Sequence, residues 1–241
     1  MSRSILSALC FIFIPGLLFL GLFNIHLATF GGPMDLADQP VAQIEVMAPK
    51  AAIHIGSTVA LRHIGTKAAG YLHSHNLFYP TGSLQHQVTL APQRSNATAW
   101  RVYNATAKYE TREQDVRDNA LQHVPAGMRI KLQHVMSQLH LHSHAIPAPV
   151  SVGADLQEVT AYGLIGFPGD ANDDWTVELT EGSALTVMSP FKLRHMLSGC
   201  LLSARGETLP EWGLGLLEVI CEPEGEFAES LWIVEDVEDV A

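Results

Sequence analysis

Tyr71-Leu72-His73-Ser74-His75 and His140-Leu141-His142-Ser143-His144 carry the same Leu-His-Ser-His core, and their leucines lie 69 positions apart. The surroundings match as well. Gly56-Ser57-Thr58-Val59-Ala60-Leu61-Arg62-His63 precedes the first copy, and Gly127-Met128-Arg129-Ile130-Lys131-Leu132-Gln133-His134 precedes the second. Gln85-His86-Gln87-Val88-Thr89 and then Trp100 follow the first; Gln157-Glu158-Val159-Thr160 and then Trp175 follow the second. A more divergent third copy runs through Phe191-Lys192-Leu193-Arg194-His195, Cys200-Leu201-Leu202-Ser203-Ala204, Leu217-Glu218-Val219-Ile220 and Trp232. Leu61, Leu132 and Leu193 recur at intervals of 71 and 61, and Leu72–Val88, Leu141–Val159 and Leu201–Val219 are spaced by 16, 18 and 18. Such self-similarity identifies three copies of one structural unit.

Each block reads as strand. Val59, Leu61 and His63 alternate with smaller or polar residues, as do Ile130, Leu132 and His134, and the Gln-x-Val-Thr blocks are short and β-branched. Turn residues separate them at Tyr79-Pro80-Thr81-Gly82, Pro147-Ala148-Pro149 and Gly166 to Gly169. No long amphipathic helix is expected beyond Phe30. The expectation is a closed all-β unit, because closure removes exposed strand edges. The tryptophan ending each repeat is expected in three equivalent core positions.

Composition agrees. Of 241 residues, 47% are hydrophobic and 16% charged, which excludes a mostly disordered chain. With 25 acids against 14 bases the formal charge is −11, so no nucleic acid is expected as a partner, since a general nucleic-acid binder needs a basic surface to neutralise phosphates. Three cysteines do not make a disulfide-dense scaffold. The run from Ile5 to Phe30 carries no charge and is long enough for a bilayer-spanning helix; Arg3 before it places the chain beyond Phe30 on the luminal side. A cleaved signal peptide is the alternative. The expected organisation is therefore a transmembrane helix or signal anchor over 1–30, a linker over 31–52, repeats at about 53–107, 124–180 and 188–235, and an acidic tail over 236–241. Asn96-Ala97-Thr98 and Asn104-Ala105-Thr106 have the form of N-glycosylation acceptors.

The repeats resemble the MIR domain, a β-trefoil of three MIR repeats, over about Ile53 to Glu235. Protein O-mannosyltransferases are the most similar group. Tyr79-Pro80-Thr81-Gly82-Ser83, Ala161-Tyr162-Gly163, Phe167-Pro168-Gly169-Asp170-Ala171-Asn172-Asp173 and Leu209-Pro210-Glu211-Trp212-Gly213 carry that likeness, the third of these looking like the fungal type-4 and animal type-1 branch. Ser95-Asn96-Ala97-Thr98 departs from the family's Asp-x-Asn-Asn. The resemblance implies a parent reaction, mannose transfer from dolichyl-phosphate-mannose to Ser or Thr of secretory proteins in the endoplasmic reticulum. It implies a module that binds acceptor polypeptide or mannosyl-serine/threonine, and another O-mannosyltransferase subunit as partner. No position corresponds to the family's catalytic acidic pair, so no catalytic residue is carried over, and the chain is read as truncated to one membrane helix plus the MIR domain. The alternatives are a free-standing MIR protein of quality control, of the stromal-cell-derived-factor-2 type, and a non-functional gene fragment.

Candidate ligand-binding residues are His73, Ser74, His75, Gln85, Gln87, His142, Ser143, His144 and Gln157, whose imidazole, hydroxyl and amide groups suit sugar hydroxyls. Histidines two apart on a strand share a face. No carboxylate or cysteine stands near them at ligand spacing, so neither a metal nor any other cofactor is expected for this chain. A Ser74–His73–Asp170 triad can be written, but no Gly-x-Ser-x-Gly elbow supports it. Cys200 and Cys221, in one repeat, are a possible disulfide in an oxidising lumen.

Overall fold

The computed structural model describes residues 50–107, 112–119, 122–223 and 228–238. The expected membrane helix over 1–30 and nearly all of the linker lie outside them. Among the described residues no helix is long and apolar enough to cross a membrane.

Six strands close into a ring. They are β1 (Thr58–His63), β4 (Ala99–Asn104), β5 (Arg129–His134), β8 (Trp175–Leu179), β9 (Phe191–His195) and β13 (Trp232–Glu238). β1 pairs with β4, β4 with β5, β5 with β8, β8 with β9, β9 with β13, and β13 returns to β1, all antiparallel. The last strand of each repeat thus joins the first strand of the next, and no edge is left in the ring. The remaining strands form three hairpins: β2 (Gly70–Phe78) with β3 (His86–Ala91), β6 (His140–Pro147) with β7 (Gln157–Tyr162), and β10 (Leu201–Ser203) with β12 (Ile220–Glu222). The hairpins pair with each other through β3–β7 and β7–β12, and the short β11 (Leu217–Glu218) adds to β3. One short helix, α1 (Arg112–Asp118), lies between the first two repeats.

The alternation in β1, β5 and β9 turns Val59 and Leu61, Ile130 and Leu132, and Phe191 and Leu193 into the core. Trp100, Trp175 and Trp232 are fully buried. Each indole N–H donates to a main-chain carbonyl: Trp100 to Leu72 (2.9 Å), Trp175 to Leu141 (3.0 Å) and Trp232 to Leu202 (3.0 Å). A buried indole needs that partner, because an unmet donor costs about 1–3 kcal/mol. Against these indoles pack the histidines that end the first strands, His134 on Trp100, His195 on Trp175 and His63 on Trp232, with ring centroids 5.0, 5.1 and 4.8 Å apart. The Nε2 of these histidines lies 2.8–3.1 Å from the carbonyls of Ala97, Asn172 and Glu229. Three equivalent Trp–His pairs therefore stitch each repeat to the next.

The tryptophan bonds correct the alignment of the third repeat. Leu202, not Leu201, is the counterpart of Leu72 and Leu141. Ser203 then stands where His73 and His142 stand, and Arg205 where His75 and His144 stand. The acidic end is also not a free tail throughout. β13 runs to Glu238 on β1, Glu235 accepts from Arg62 at 2.8 Å and from the Tyr71 hydroxyl, and Asp236 pairs with Arg94. Cys200 and Cys221 are joined as a disulfide, with Cα atoms 5.3 Å apart, beside the β10–β12 pairing.

Candidate functional site

The hairpins bring the candidate residues together at the seam between the first two repeats. Gln87, Glu158 and Glu218 each precede a fully buried valine (Val88, Val159, Val219) and are themselves buried. Each holds the turn of another repeat. Glu158 accepts from the Ser83 hydroxyl; Glu218 accepts from the Val150 and Ser151 amides at 2.8 and 2.9 Å; the Gln87 amide donates to the Phe78 carbonyl at 2.8 Å and the Trp212 carbonyl at 3.3 Å. At Gly82, where φ is +71°, a Cβ would stand 2.6 Å from the Glu158 carboxylate, so glycine lets this turn close on the buried acid. Burial raises the Glu218 pKa, against the bonds from Ser151 and Val150.

Several candidates are consumed by such duties. The Ser74 and Ser143 hydroxyls are buried and donate to the carbonyls of Gln87 (2.9 Å) and Glu158 (3.0 Å). Gln85 accepts from the Thr160 hydroxyl at 2.6 Å, crossing the seam. Gln157 is half-buried, with its oxygen 3.5 Å from Cys200 Sγ. Ser74 bonds to main chain and Asp170 lies against His142, so no Ser74–His73–Asp170 triad is assembled.

The histidine pairs do share faces, and they differ. His73 and His75 meet edge to face at 4.9 Å; His73 Nδ1 is 3.0 Å from the Thr89 hydroxyl, and His75 Nε2 is 3.1 Å from the Gln87 oxygen. Burial, reinforced by the charge of His75, lowers the His73 pKa to about 4; burial also lowers that of His75. His142 and His144 meet at the same 4.9 Å, but His142 Nδ1 contacts Asp173 at 2.8 Å and His142 Nε2 lies 3.0 Å from His144 Nδ1. His144 Nε2 is 3.8 Å from Glu158. Asp173 is buried and also ends the capping box of the short turn Ala171–Asp173, accepting the Asp170 amide at 2.7 Å. At Gly169, where φ is +75°, any Cβ would strike the Asp173 carboxylate. Lys131 pairs with Asp174 at 2.6 Å and lies 3.8 Å from Asp173.

These contacts correct one expectation from the sequence. Carboxylates do reach the second histidine pair: His142, Asp170 and Asp173 offer three ligand atoms within 4.8 Å of one another. Spacing along the chain hid them, because the acids lie 28 and 31 residues beyond His142. Asp170–Asp173 was visible only as a stretch of family likeness.

Beside the first pair, an open groove of about 800 Å³ is lined by His75, Asn76, His86 and His134 together with the exposed Leu164, Ile165 and Phe167. Asn96 is exposed, while Thr98 is fully buried and its hydroxyl donates to the Ser95 carbonyl at 2.7 Å. Asn104 accepts from both the amide (3.0 Å) and the hydroxyl (2.8 Å) of Thr106.

Comparison with known proteins places this geometry. The family described as MIR domain matches residues 70–234. Dolichyl-phosphate-mannose–protein mannosyltransferase 5 of Saccharomyces cerevisiae is 35% identical over 95% of this chain and 32% of its own length. Among solved structures, the S. cerevisiae protein O-mannosyltransferase Pmt1-Pmt2 complex bound to the sugar donor superposes with a TM-score of 0.67 at 34% identity, covering 81% of this chain and 27% of that one. The SDF2-like protein from Arabidopsis thaliana gives a TM-score of 0.68 at 24% identity, over 79% of this chain and 98% of that one, a likeness of fold. The chain thus spans about a third of the length of the mannosyltransferase relative. With its threefold strand pattern and this match, the chain belongs to the MIR domain family, homologous to the MIR module of protein O-mannosyltransferases.

Proposed function

We propose that this chain is the luminal MIR module of an endoplasmic-reticulum membrane O-mannosyltransferase, and that it binds acceptor polypeptide or mannosyl-serine/threonine without catalysing transfer. The ring of six strands with three hairpins is read as a β-trefoil. The parent reaction is mannose transfer from dolichyl-phosphate-mannose to Ser or Thr, and another O-mannosyltransferase subunit is the expected partner. The observation that supports binding is the groove at the seam of repeats one and two. Its polar lining of His75, Asn76 and His86 offers donors and acceptors to sugar hydroxyls and peptide groups, and its exposed Leu164, Ile165 and Phe167 offer apolar surface to the same ligand. Of the candidate residues, His75 lines this groove with a partly exposed side chain and Ser74 with a buried one, and the side-chain oxygen of the buried Gln87 lies 3.1 Å from His75 Nε2.

The test is an NMR titration with a mannosylated Ser/Thr peptide and its unmodified form. Shifts confined to the groove, weakened in Asn76→Ala and Phe167→Ala, support the reading. Saturation with no groove signal moved overturns it. Expression in microsomes lacking the endogenous enzymes checks the other half: mannose incorporated into an acceptor peptide would show that the chain catalyses transfer.

A further inference from the structure

The two rings of the second pair form a directional chain. Asp173, as a carboxylate, accepts the proton on His142 Nδ1. In the tautomer that donates only to Asp173, His142 has a lone pair on Nε2, and the 3.0 Å contact then takes its proton from His144 Nδ1. His144 is left with a lone pair on Nε2, 3.8 Å from Glu158 Oε1. That turns one acceptor toward another in a buried place. Glu158 Oε1 accepts from the Ser83 hydroxyl, but among the described residues neither His144 Nε2 nor Glu158 Oε2 has a hydrogen-bond partner, and Glu158 is fully buried. Unmet buried acceptors of this kind call for an explanation such as an ion.

A cation on His142 Nδ1 resolves the conflict. It displaces the Nδ1 proton to Nε2, so His142 donates to His144 Nδ1, and His144 carries its proton on Nε2, directed at Glu158. Every link then has one donor and one acceptor. The atoms to hold such a cation are present: Asp173 Oδ1 at 2.8 Å and Asp170 Oδ1 at 4.0 Å from His142 Nδ1. Asp170 is exposed, which leaves an entry path and open positions for water. The surrounding charge favours a cation: Asp170, Asp173 and Asp174 lie together, and Lys131, the cation paired with them among the described residues, is engaged by Asp174 and the Asp170 carbonyl. An imidazole oriented through its other nitrogen by a hydrogen-bonded chain ending on a carboxylate is the usual supporting arrangement for a metal ligand.

We propose that His142, Asp170 and Asp173 bind one first-row divalent cation of the zinc type, with His144 and Glu158 orienting the ligand imidazole. One nitrogen and two carboxylate oxygens suit zinc or manganese rather than a soft, thiolate-seeking ion. In repeat one, Thr98 stands where Asp173 stands, so the His73–His75 pair has no such site.

The experiment uses the full chain with a histidine-free tag, stripped with chelator and titrated by calorimetry with zinc and, for its visible bands, with cobalt(II). One saturable equivalent is expected. Asp170→Asn, at an exposed position, should keep cooperative unfolding and weaken binding at least tenfold. Glu158→Gln should weaken it by roughly tenfold to a hundredfold, and His142→Gln should abolish it. Imidazole nitrogen shifts should show the His144 proton moving to Nε2 when zinc is added. The absence of saturable binding at millimolar cation overturns the proposal. So does binding that is unchanged in both Asp170→Asn and His142→Gln, since the metal would then sit on other histidines.

Discussion

The tetrapeptide Leu-His-Ser-His occupies the same place in β2 and in β6, with the same serine bond to main chain and the same 4.9 Å ring contact, yet the two pairs are electrostatically unlike. The difference arises 22 to 31 residues downstream of the first histidine of each pair. Repeat two returns with Asp170 and Asp173 and places a buried carboxylate on His142, while repeat one returns with Ser95 and Thr98, which cap the same turn with a hydroxyl. On the seam side, His144 faces Glu158, where His75 faces the neutral Gln87. Identical local sequence therefore gives a pair held by uncharged hydroxyl and amide groups in one repeat and a pair held between two buried acids in the other. What a short motif does is decided by what the fold lays against it.

This comparison can be broken most forcefully at Asp173. Asp173→Ala removes the carboxylate between His142 and Lys131 and should cost about 3–5 kcal/mol, as for a broken buried pair, whereas Thr98→Ala should cost about 1 kcal/mol, as for a lost cap. Urea unfolding of both variants measures the gap; equal losses would mean that the two turns play the same part. A second test uses acid. The His73 pKa of about 4 lies below its ordinary 6.5, so the unfolded chain takes up that proton first. The stability contributed by neutral His73 is complete above pH 6.5 and is lost as pH falls toward 4. His75, His134 and His195, lowered chiefly by burial, act in the same direction. Thermal unfolding should shift down across that window, and the shift should shrink in His73→Gln. Thr98→Asp sharpens the comparison by giving repeat one the missing acid: NMR titration should show His73 protonating at higher pH than in the parent. The smallest effect tests the likeness itself. Ser74→Ala and Ser143→Ala should each cost about 1 kcal/mol and agree within a few tenths; unequal losses would show that the serines are not equivalent.

The ring was legible because it rests on local features that recur: a leucine every repeat, a histidine closing the first strand, a tryptophan opening the last. The third copy was harder. Cys200-Leu201-Leu202-Ser203 offers two leucines for one buried slot, and only the Trp232 bond to the Leu202 carbonyl selects between them. The disulfide partners were nameable from their place in one repeat. Glu158 and Glu218 were passed over, because a charged residue in a strand reads as solvent-facing until a turn from another repeat is laid on it. Likewise, the serines and glutamines looked available for ligand because their acceptors lie on partner strands and turns that the sequence does not display. His142 looked metal-free because its acids arrive by tertiary return and not by spacing.

The pairing of β13 with β1 joins residues about 175 positions apart, so the ring cannot close until β13 has been made. At the usual rate of synthesis, the stretch from Thr98 to Val234 takes roughly 7 to 27 seconds to appear. Until then β1 is without its β13 partner, whereas the Thr98 hydroxyl needs only the Ser95 carbonyl three residues away to enter its capping box. The order of closure has a consequence for the Asn96-Ala97-Thr98 acceptor: were Asn96 to carry a sugar, it would have to be added before this local turn buries the Thr98 hydroxyl, well ahead of the last strand.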